Sequence, residues 1–157
     1  MDKLWAPWRI KYLKAKKNRN CIFCDKKAGG NSVIFKTSHS VCRLNIFPYN
    51  NGHLMLSPLR HVKDLSALKQ NELLDLFAAL NTAKTLLDKT LKPHGYNIGI
   101  NLSEAAGAGI PGHLHIHIVP RWKGDTNFMP VVSDTKIISQ SLEELAKRLK
   151  DAHARTN

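Results

Sequence analysis

Three histidines occupy alternate positions in 113-HLHIHIVPR-121, with only leucine or isoleucine between them. Successive side chains of a β-strand point to opposite faces of the sheet, so a strand here would place His113, His115 and His117 on one face and the aliphatic residues on the other. Neutral imidazole is a nucleophile near neutral pH and also a common metal ligand. The spacing by itself therefore leaves a catalytic role, metal binding and a polar sheet face open.

A glycine-rich loop, 107-GAGIPG-112, leads directly into the histidines. Glycine lets the backbone approach a ligand closely, and successive exposed N–H groups can bind an anion. Taken alone, the loop is typical of a flexible turn, but its position favours a phosphate held over the histidine face. One imidazole would then attack phosphorus, and a flanking imidazole would stabilise the departing oxygen.

The segment 21-CIFC-24 provides two thiolates, which can form one edge of a tetrahedral zinc site that still needs two more ligands. The sequence has no second C-x-x-C pair, and Cys42 lies in a predicted strand, where we interpret it as a small buried side chain. Histidine must therefore complete the site, and position alone does not choose among the candidates. These are His39, His53, His61, His94, His113, His115, His117 and His153.

Five segments are predicted to be strands: the first two are rich in β-branched and aromatic residues, and the fifth is the triple-histidine segment itself. Turn residues in 48-PYNNG-52 separate the second strand from the third, and a small-residue loop, 103–112, precedes the fifth. The other four predicted strands are residues 32–38, 40–47, 53–58 and 96–102.

A long amphipathic helix is predicted after the third strand, starting at about Asp64 and stopped by Pro93. A C-terminal helix is predicted over 139–154, with Ser139 or Ser141 near its N-cap. This order predicts an α+β fold with a five-stranded, mainly antiparallel sheet. The apolar stripe of the long helix comprises Leu65, Leu68, Leu73, Leu76, Phe77, Leu80, Ala83, Leu86 and Leu87.

The chain has 157 residues, which fits a single domain, 1–157, and 24 Lys+Arg against 12 Asp+Glu give a formal net charge of +12. Such a charge attracts polyanions. The basic segment 1–20 is interpreted as a solvated arm, because its aromatics do not clearly form the interleaved pattern of a nucleic-acid-binding sheet, and a nucleic-acid partner is not expected. No apolar run approaches the roughly 20 residues needed to cross a bilayer, and no secretory signal is recognisable, so we expect a cytoplasmic protein.

The sequence resembles the histidine-triad (HIT) superfamily, whose pattern is His-φ-His-φ-His-φ-φ with φ apolar, and 113-HLHIHIV-119 matches all seven places. Residues 45–62 are similar to the family's asparagine-to-strand segment, and 97–122 to its nucleotide and phosphate site. The segments 4-LWAPWRIKYL-13 and 121-RWKGDTNFMPV-131 resemble the bacterial branch of diadenosine tetraphosphate hydrolases and phosphorylases.

This resemblance implies an enzyme that cleaves dinucleoside polyphosphates at the α-phosphate. It implies that His115 is the nucleophile, forming a covalent nucleotidyl-histidine intermediate, and that His117 binds phosphate oxygens. Asn45 would bind the nucleoside sugar, Asn101 the phosphates, and His53 would hold one end of the site in place. The nucleotide-binding residues implied are Asn45, His53, Asn101, Ser103, Gly107 and Gly109.

The loop before the triad departs from the family's pattern, because 107-GAGI-110 lacks the amide and hydroxyl side chains usual in the hydrolase branch. Backbone N–H groups or Ser103 would have to replace them. Hydrolysis is the leading expectation. A phosphorylase, a hydrolase of nucleoside phosphoramidates or other nucleoside monophosphate conjugates, and a non-catalytic nucleotide-binding zinc protein are the alternatives.

The resemblance also implies a structural zinc ion bound by Cys21, Cys24, His61 and His113. It divides the domain into the arm, a zinc-binding region with the first strands over 21–61, and the triad region over 96–122. Family members are usually two-fold homodimers, and the leucine-rich long helix has apolar surface for such an interface.

Overall fold

The computed structural model describes residues 21–24, 32–125 and 138–155. The basic arm lies outside the described residues, and with it Trp5 and Trp8, which the sequence suggests as anchors of the arm on the domain or on a partner subunit. The strands are β1 (Val33–Lys36), β2 (Ser40–Leu44), β3 (Leu54–Pro58), β4 (Gly95–Ile100) and β5 (Ile116–Arg121). The helices are a short 3-10 helix (Leu65–Ala67), α1 (Gln70–Leu91) and α2 (Leu142–Ala154).

The five strands form one sheet in the order β1-β2-β3-β5-β4, and every neighbouring pair is antiparallel. The predicted α+β fold, with a long helix after the third strand and a C-terminal helix, is confirmed. Strand β5 lies between β3 and β4, and His117 is paired with Met55 on one side and Gly99 on the other. The end of the histidine triad is therefore fixed by two neighbouring strands.

The two faces of the sheet have different chemistry because side chains alternate along each strand. One face packs against α1 and α2 and forms the apolar core. The opposite face carries Arg43, Asn45, His53 and His117, and we call it the site face. The core residues include Cys42, Leu44, Leu54, Leu56, Leu76, Ala79, Ala83, Leu86, Leu87, Ile116, Ile118, Leu145 and Leu149.

Strand β5 begins at Ile116, so the prediction that the whole triple-histidine segment is a strand was wrong for its first two histidines. The neighbouring β3 ends at Pro58, which has no N–H to extend the ladder. The N–H of Leu114 donates instead to the carbonyl of Val62, at 2.6 Å, in the loop after β3. The triad thus enters the sheet from a segment held by a loop.

The predicted strands 32–38, 40–47 and 96–102 are each shorter in the structure, where turns replace their ends. Between β1 and β2, the N–H of Thr37 donates to the carbonyl of Ser40 at 2.9 Å and closes a tight turn. This hydrogen bond pairs backbone groups that would otherwise need partners in a longer strand ladder.

Helix α1 starts at Gln70, after the 3-10 helix, and not at Asp64 as predicted. The carboxylate of Glu72 accepts the N–H of Lys69 at 2.8 Å, which caps the first turn. The helix ends at Leu91, before Pro93, as predicted. None of the described helices has the length and apolar character that a bilayer-spanning segment requires.

Three members of the predicted apolar stripe are not in the core: Leu65, in the 3-10 helix, is 38% exposed, Leu73 is 39% exposed and Phe77 is 52% exposed. The C-terminal helix begins at Leu142, later than predicted, and Ser141 is its N-cap, since its hydroxyl accepts the N–H of Glu144 at 3.1 Å.

Candidate active site and metal site

A glycine places the first imidazole of the site. Gly52 precedes His53 and has a φ of +76°, which other residues rarely adopt. A Cβ added there would lie 2.5 Å from Leu91 Cδ1, so the end of the Leu91 side chain would have to shift to admit it. The close packing of this turn against the end of α1 fixes the start of β3, and with it the position of His53.

The hydrogen bond of His115 fixes which of its ring nitrogens is available for chemistry. His115 Nδ1 lies 2.8 Å from the carbonyl oxygen of His113. A carbonyl only accepts, so Nδ1 carries the proton and Nε2 of the neutral ring keeps its lone pair. The ring is 5% exposed, and burial lowers the pKa of His115, although the bond to the carbonyl opposes this. His115 is therefore a neutral imidazole with a nucleophilic Nε2.

Two donors converge on Nδ1 of His53: the backbone N–H of Tyr49 at 3.0 Å and the amide Nδ2 of Asn45 at 3.2 Å. A nitrogen that accepts two hydrogen bonds carries no proton, so neutral His53 is protonated on Nε2. This Nε2–H donates to Nδ1 of His117 at 2.9 Å. Neutral His117 then carries its own proton on Nε2, where it can donate to a phosphate oxygen.

The neutral state of His53 is maintained by its surroundings. The side chain is fully buried, and burial, followed by the charges that His117 and His115 would carry, lowers the pKa of His53 to about 3. His53 therefore stays neutral near neutral pH, accepting from Asn45 and Tyr49 on Nδ1 and carrying its proton on Nε2.

We expect acid to destabilise the protein through His53. Its folded pKa of about 3 lies below the unfolded value of 6.5, so below pH 6.5 the unfolded state binds the proton first. As the pH is lowered between these two values, the free energy of unfolding should then decrease by up to about 1.4 kcal/mol per pH unit. Urea unfolding at pH 7 and pH 5 would measure this fall.

The matched variant for this measurement is His53→Gln, which cannot titrate. When the pH is lowered from 7 to 5, the free energy of unfolding of the variant should decrease by about 1–2 kcal/mol less than that of the wild type. Other titrating groups contribute equally to both proteins. Equal pH dependence in the two would show that folding does not lower the pKa of His53.

Of the two asparagines implied by resemblance, Asn45 lies on the site face and contacts His53. Asn45 is 8% exposed, and its Oδ1 accepts the N–H of Phe47 at 2.9 Å. Asn101 follows β4 two residues after Gly99, which pairs with His117. Asn101 lies just beyond the last residue of β4, Ile100, which pairs with Ile116 next to His115.

The glycine loop uses part of its own hydrogen-bonding capacity. Ser103 and Gly107 have φ values of 71° and 88°, and the N–H of Gly107 donates to the carbonyl of Glu104 at 2.9 Å. The N–H of Ala108 donates to the carbonyl of Ser103 at 3.2 Å. These two N–H groups are bonded within the loop, so the loop offers fewer successive donors to an anion than the sequence predicted. The N–H of Gly109 has no backbone partner among the described residues.

Four sequence-predicted metal ligands come together beside the triad: Cys21, Cys24, His61 and His113, whose ligand atoms all lie within 4.8 Å of one another. His113 Nδ1 is 3.3 and 3.4 Å from the two sulfurs, and His61 Nδ1 is 3.2 Å from that of Cys24. Zinc bond lengths of 2.0–2.3 Å give tetrahedral edges of about 3.5 Å. The donor set therefore fits a tetrahedral metal ion.

The protonation of these ligands also fits a metal. His113 Nε2 donates to the carbonyl of Pro58 at 2.9 Å, which leaves the Nδ1 lone pair directed at the thiols. Burial, more than any other cause, lowers the pKa of His113 to about 4. Burial and the neighbouring Cys21 raise the pKa of Cys24, and Arg43 opposes this. A divalent cation would supply the positive charge that two adjacent thiolates need.

An ion pair holds the segment that carries His61. The guanidinium of Arg60 donates to both carboxylate oxygens of Glu72, at 2.8 and 2.6 Å, at the first turn of α1. The exit from β3 is thereby tied to the start of the long helix, and His61 is directed towards the cysteines.

Three site residues were missed by the sequence analysis. Phe23, between the two cysteines, is 4% exposed, and its ring lies 4.9 Å from that of His115 and 5.2 Å from that of His113. Its carbonyl accepts from Nη2 of Arg43, which is buried on the site face, at 3.3 Å. Tyr49 stacks on His117 at 5.6 Å. A large apolar residue between two metal ligands was the available signal for Phe23, whereas Tyr49 was interpreted only as part of a turn.

Known proteins share the sequence pattern of this chain. Residues 26–124 match the HIT domain family. The chain is 35% identical to the AP-4-A phosphorylase of Mycobacterium tuberculosis over 99% of its length and 86% of that protein's. It is 34% identical to the asymmetrical bis(5'-nucleosyl)-tetraphosphatase of Schizosaccharomyces pombe over 66% of its own length and 57% of that protein's.

Among solved structures, a zinc-bound histidine triad family protein from Mycobacterium smegmatis superposes with a TM-score of 0.69 and 24% identity, over 87% of this chain and 94% of that one. The sheet, the two helices and the triad thus define a histidine-triad protein. With the family match over residues 26–124, the chain belongs to the HIT domain family, which confirms the resemblance inferred from the sequence.

Proposed function

We propose that this protein is an enzyme that cleaves dinucleoside polyphosphates at the α-phosphate, with Nε2 of His115 as the nucleophile. The observation that carries the proposal is the 2.8 Å hydrogen bond from His115 Nδ1 to the carbonyl of His113, which presents an unprotonated Nε2. The activities named for the mycobacterial phosphorylase and the yeast tetraphosphatase support this substrate class.

The first step forms a bond between His115 Nε2 and the α-phosphorus and breaks the bond to the bridging oxygen. The electron pair leaves with the remaining nucleoside polyphosphate, and the ring becomes a nucleotidyl-imidazolium whose Nδ1–H stays bonded to the carbonyl of His113. The Nε2–H of His117 stabilises the charge that develops on phosphate oxygen without transferring its proton, because His53 fixes its tautomer.

In the second step an acceptor oxygen attacks the phosphorus, and the N–P electron pair returns to Nε2 of His115. Water as acceptor releases a nucleoside monophosphate and a proton to solvent, whereas inorganic phosphate gives a nucleoside diphosphate. The phosphorylase relative spans 99% of this chain and the tetraphosphatase 66%, so the longer match favours phosphate.

The products from diadenosine tetraphosphate, separated by chromatography with and without inorganic phosphate, test this reaction. We expect ADP and ATP when phosphate is present. AMP and ATP at a rate independent of phosphate would identify a hydrolase and leave the covalent step intact. The absence of any product under both conditions would contradict the proposed activity.

The metal site is proposed to bind one structural zinc ion. Two thiolates and two imidazoles supply four protein ligands, which leave no open position for substrate or water. Zinc bound there would link the Cys21–Cys24 segment to His113 and so to the strand that carries the nucleophile. Thiolate ligands persist in a reducing compartment, which supports a cytoplasmic location.

The protein is also proposed to be a two-fold homodimer. Strand β4 lies at the edge of the sheet, and Ile98 on it is 48% exposed. On α1, three large apolar residues are exposed: Leu73 at 39%, Leu74 at 65% and Phe77 at 52%. A sheet edge and an apolar helix surface are features that a second copy would cover. Sedimentation as a single 17.6 kDa chain at micromolar concentration would contradict this.

A further inference from the structure

A cavity of about 270 Å³ opens on the site face, beyond the last histidine of the triad. Val119 and Arg121 follow His117 at alternate positions of β5, so all three share this face. Two residues of a strand advance about 6.6 Å, which places the cavity floor within reach of a substrate that passes His117. The residues that line it are Tyr49, Asn50, Asn97, Val119 and Arg121.

The polar wall of the cavity is already organised. Arg121 donates to both carboxylate oxygens of Asp125, at 2.8 and 2.9 Å, and to Oδ1 of Asn97 at 2.8 Å. Asn50 Nδ2 donates to the same carboxylate at 2.7 Å and to the carbonyl of Pro120 at 3.0 Å. Because Asp125 neutralises the guanidinium, this wall suits a polar uncharged group better than a phosphate.

The opposite wall is aromatic. The ring of Tyr49 is 50% exposed and lies nearly parallel to that of His117, at an interplanar angle of 30°. It also contacts His53 at 4.6 Å, so packing on two imidazoles restricts its motion. A partly exposed aromatic ring held in this way is a surface on which a nucleobase can stack.

The surface of the sheet beside His117 is open at Gly99. Gly99 pairs with His117 across the sheet, and a Cβ added at Gly99 would meet no atom within 4 Å. The backbone at this position therefore leaves space over the sheet. A phosphate chain whose α-phosphorus faces His115 and whose oxygens contact His117 can continue over Gly99 to the cavity.

We propose that this cavity binds the second nucleoside of the substrate, the one that departs with the leaving polyphosphate. Its base stacks on Tyr49, and the Nδ2 donors of Asn97, whose Oδ1 is occupied by Arg121, bind its polar edge. The volume of about 270 Å³ suits a nucleoside, being close to the lower end of about 300 Å³ for small-molecule sites. The inference rests on the proposed function, since it assigns the other half of the same substrate.

The test compares two substrates that share the nucleotidyl half and the phosphate chain: diadenosine tetraphosphate and adenosine 5'-tetraphosphate, which lacks the second nucleoside. The variants are Tyr49→Leu, with Tyr49→Phe as the control that keeps the ring, and Asn97→Ala. The readout is the ratio of kcat/KM for the two substrates. This ratio cancels the active fraction, so partial unfolding of a variant does not affect it.

The wild type should prefer diadenosine tetraphosphate, and Tyr49→Leu should lower the ratio about tenfold, within the range for loss of one stacked base. Tyr49→Phe should keep the wild-type ratio, and Asn97→Ala should lower it about threefold, as expected for one lost hydrogen bond. An unchanged ratio in both Tyr49→Leu and Asn97→Ala would overturn the proposal while leaving the reaction intact. If the wild type cleaves neither substrate, the proposed function itself fails.

Discussion

His115→Ala should lower kcat for diadenosine tetraphosphate by about 10⁴-fold or more, since removal of a nucleophile leaves only binding and charge stabilisation. Nothing else in the described site can take over, because the Nε2 proton of His117 is fixed by the bond from His53 to its Nδ1. The variant should still fold, because the ring lies on the site face and not among the core residues. Steady-state product formation and thermal melting measure the two effects.

The covalent step has its own readout. Mixing wild-type protein with substrate, followed by a rapid denaturing quench at alkaline pH and intact-mass measurement, should show a nucleotidylated chain that His115→Ala lacks. His39→Ala is the matched control, because His39 binds Asn71 at 3.0 Å and is not part of the site. Turnover by His115→Ala within tenfold of the wild type would rule out the covalent mechanism.

The sequence predicted those parts of the site that depend only on the side-chain repeat within a single strand. The alternation of histidine with aliphatic residues predicted that His117 faces away from Ile116 and Ile118, because a strand repeats every two residues, but His113 and His115 lie before β5. It did not give the start of β5 at Ile116, which depends on Pro58 in another strand and on the Val62 carbonyl that binds Leu114. Competition between distant backbone partners leaves no mark on the local sequence.

The limits of a local pattern also explain why some exposed residues of α1 were predicted to be in the apolar stripe. A period of three and four residues identified a wide apolar stripe, but it does not say which edge of the stripe faces the sheet. Leu76 and Ala83 are buried, whereas Phe77, one residue from Leu76, is 52% exposed. Residues missed in the site, Phe23 and Tyr49, contact histidines more than 60 positions away, and only the packed chain shows those contacts.

The two histidines among the four candidate metal ligands were selected by the family resemblance and not by the local sequence. The C-x-x-C pair indicated half of a tetrahedral site, but eight histidines were available to complete it. The family resemblance selected His61 and His113, and the structure brings both within 4.8 Å of the cysteine sulfurs. Local sequence could not select them, because the four ligands come from three separate segments that only the fold brings together.

Loss of the metal should be the largest effect on stability. Structural zinc binds zinc-finger peptides with about 10–16 kcal/mol, and in this protein the site would join the Cys21–Cys24 segment to His61 and His113. We expect the wild type to contain one zinc ion per chain by elemental analysis. Cys24→Ser should contain much less and melt at least about 10 °C lower, since 1 kcal/mol corresponds to about 2–4 °C in a domain of this size.

Cys42→Ala is the matched control, because it also removes a thiol but Cys42 is fully buried in the core and is not a ligand. It should keep the zinc and lose only the small stability of one core sulfur. The turnover of the folded fraction distinguishes the role of the ion, since a structural metal positions residues without touching substrate. At a temperature where it remains folded, Cys24→Ser should therefore keep a kcat within about tenfold of the wild type. A loss of kcat as large as that of His115→Ala, with the fold intact by circular dichroism, would show that the metal takes part in the reaction.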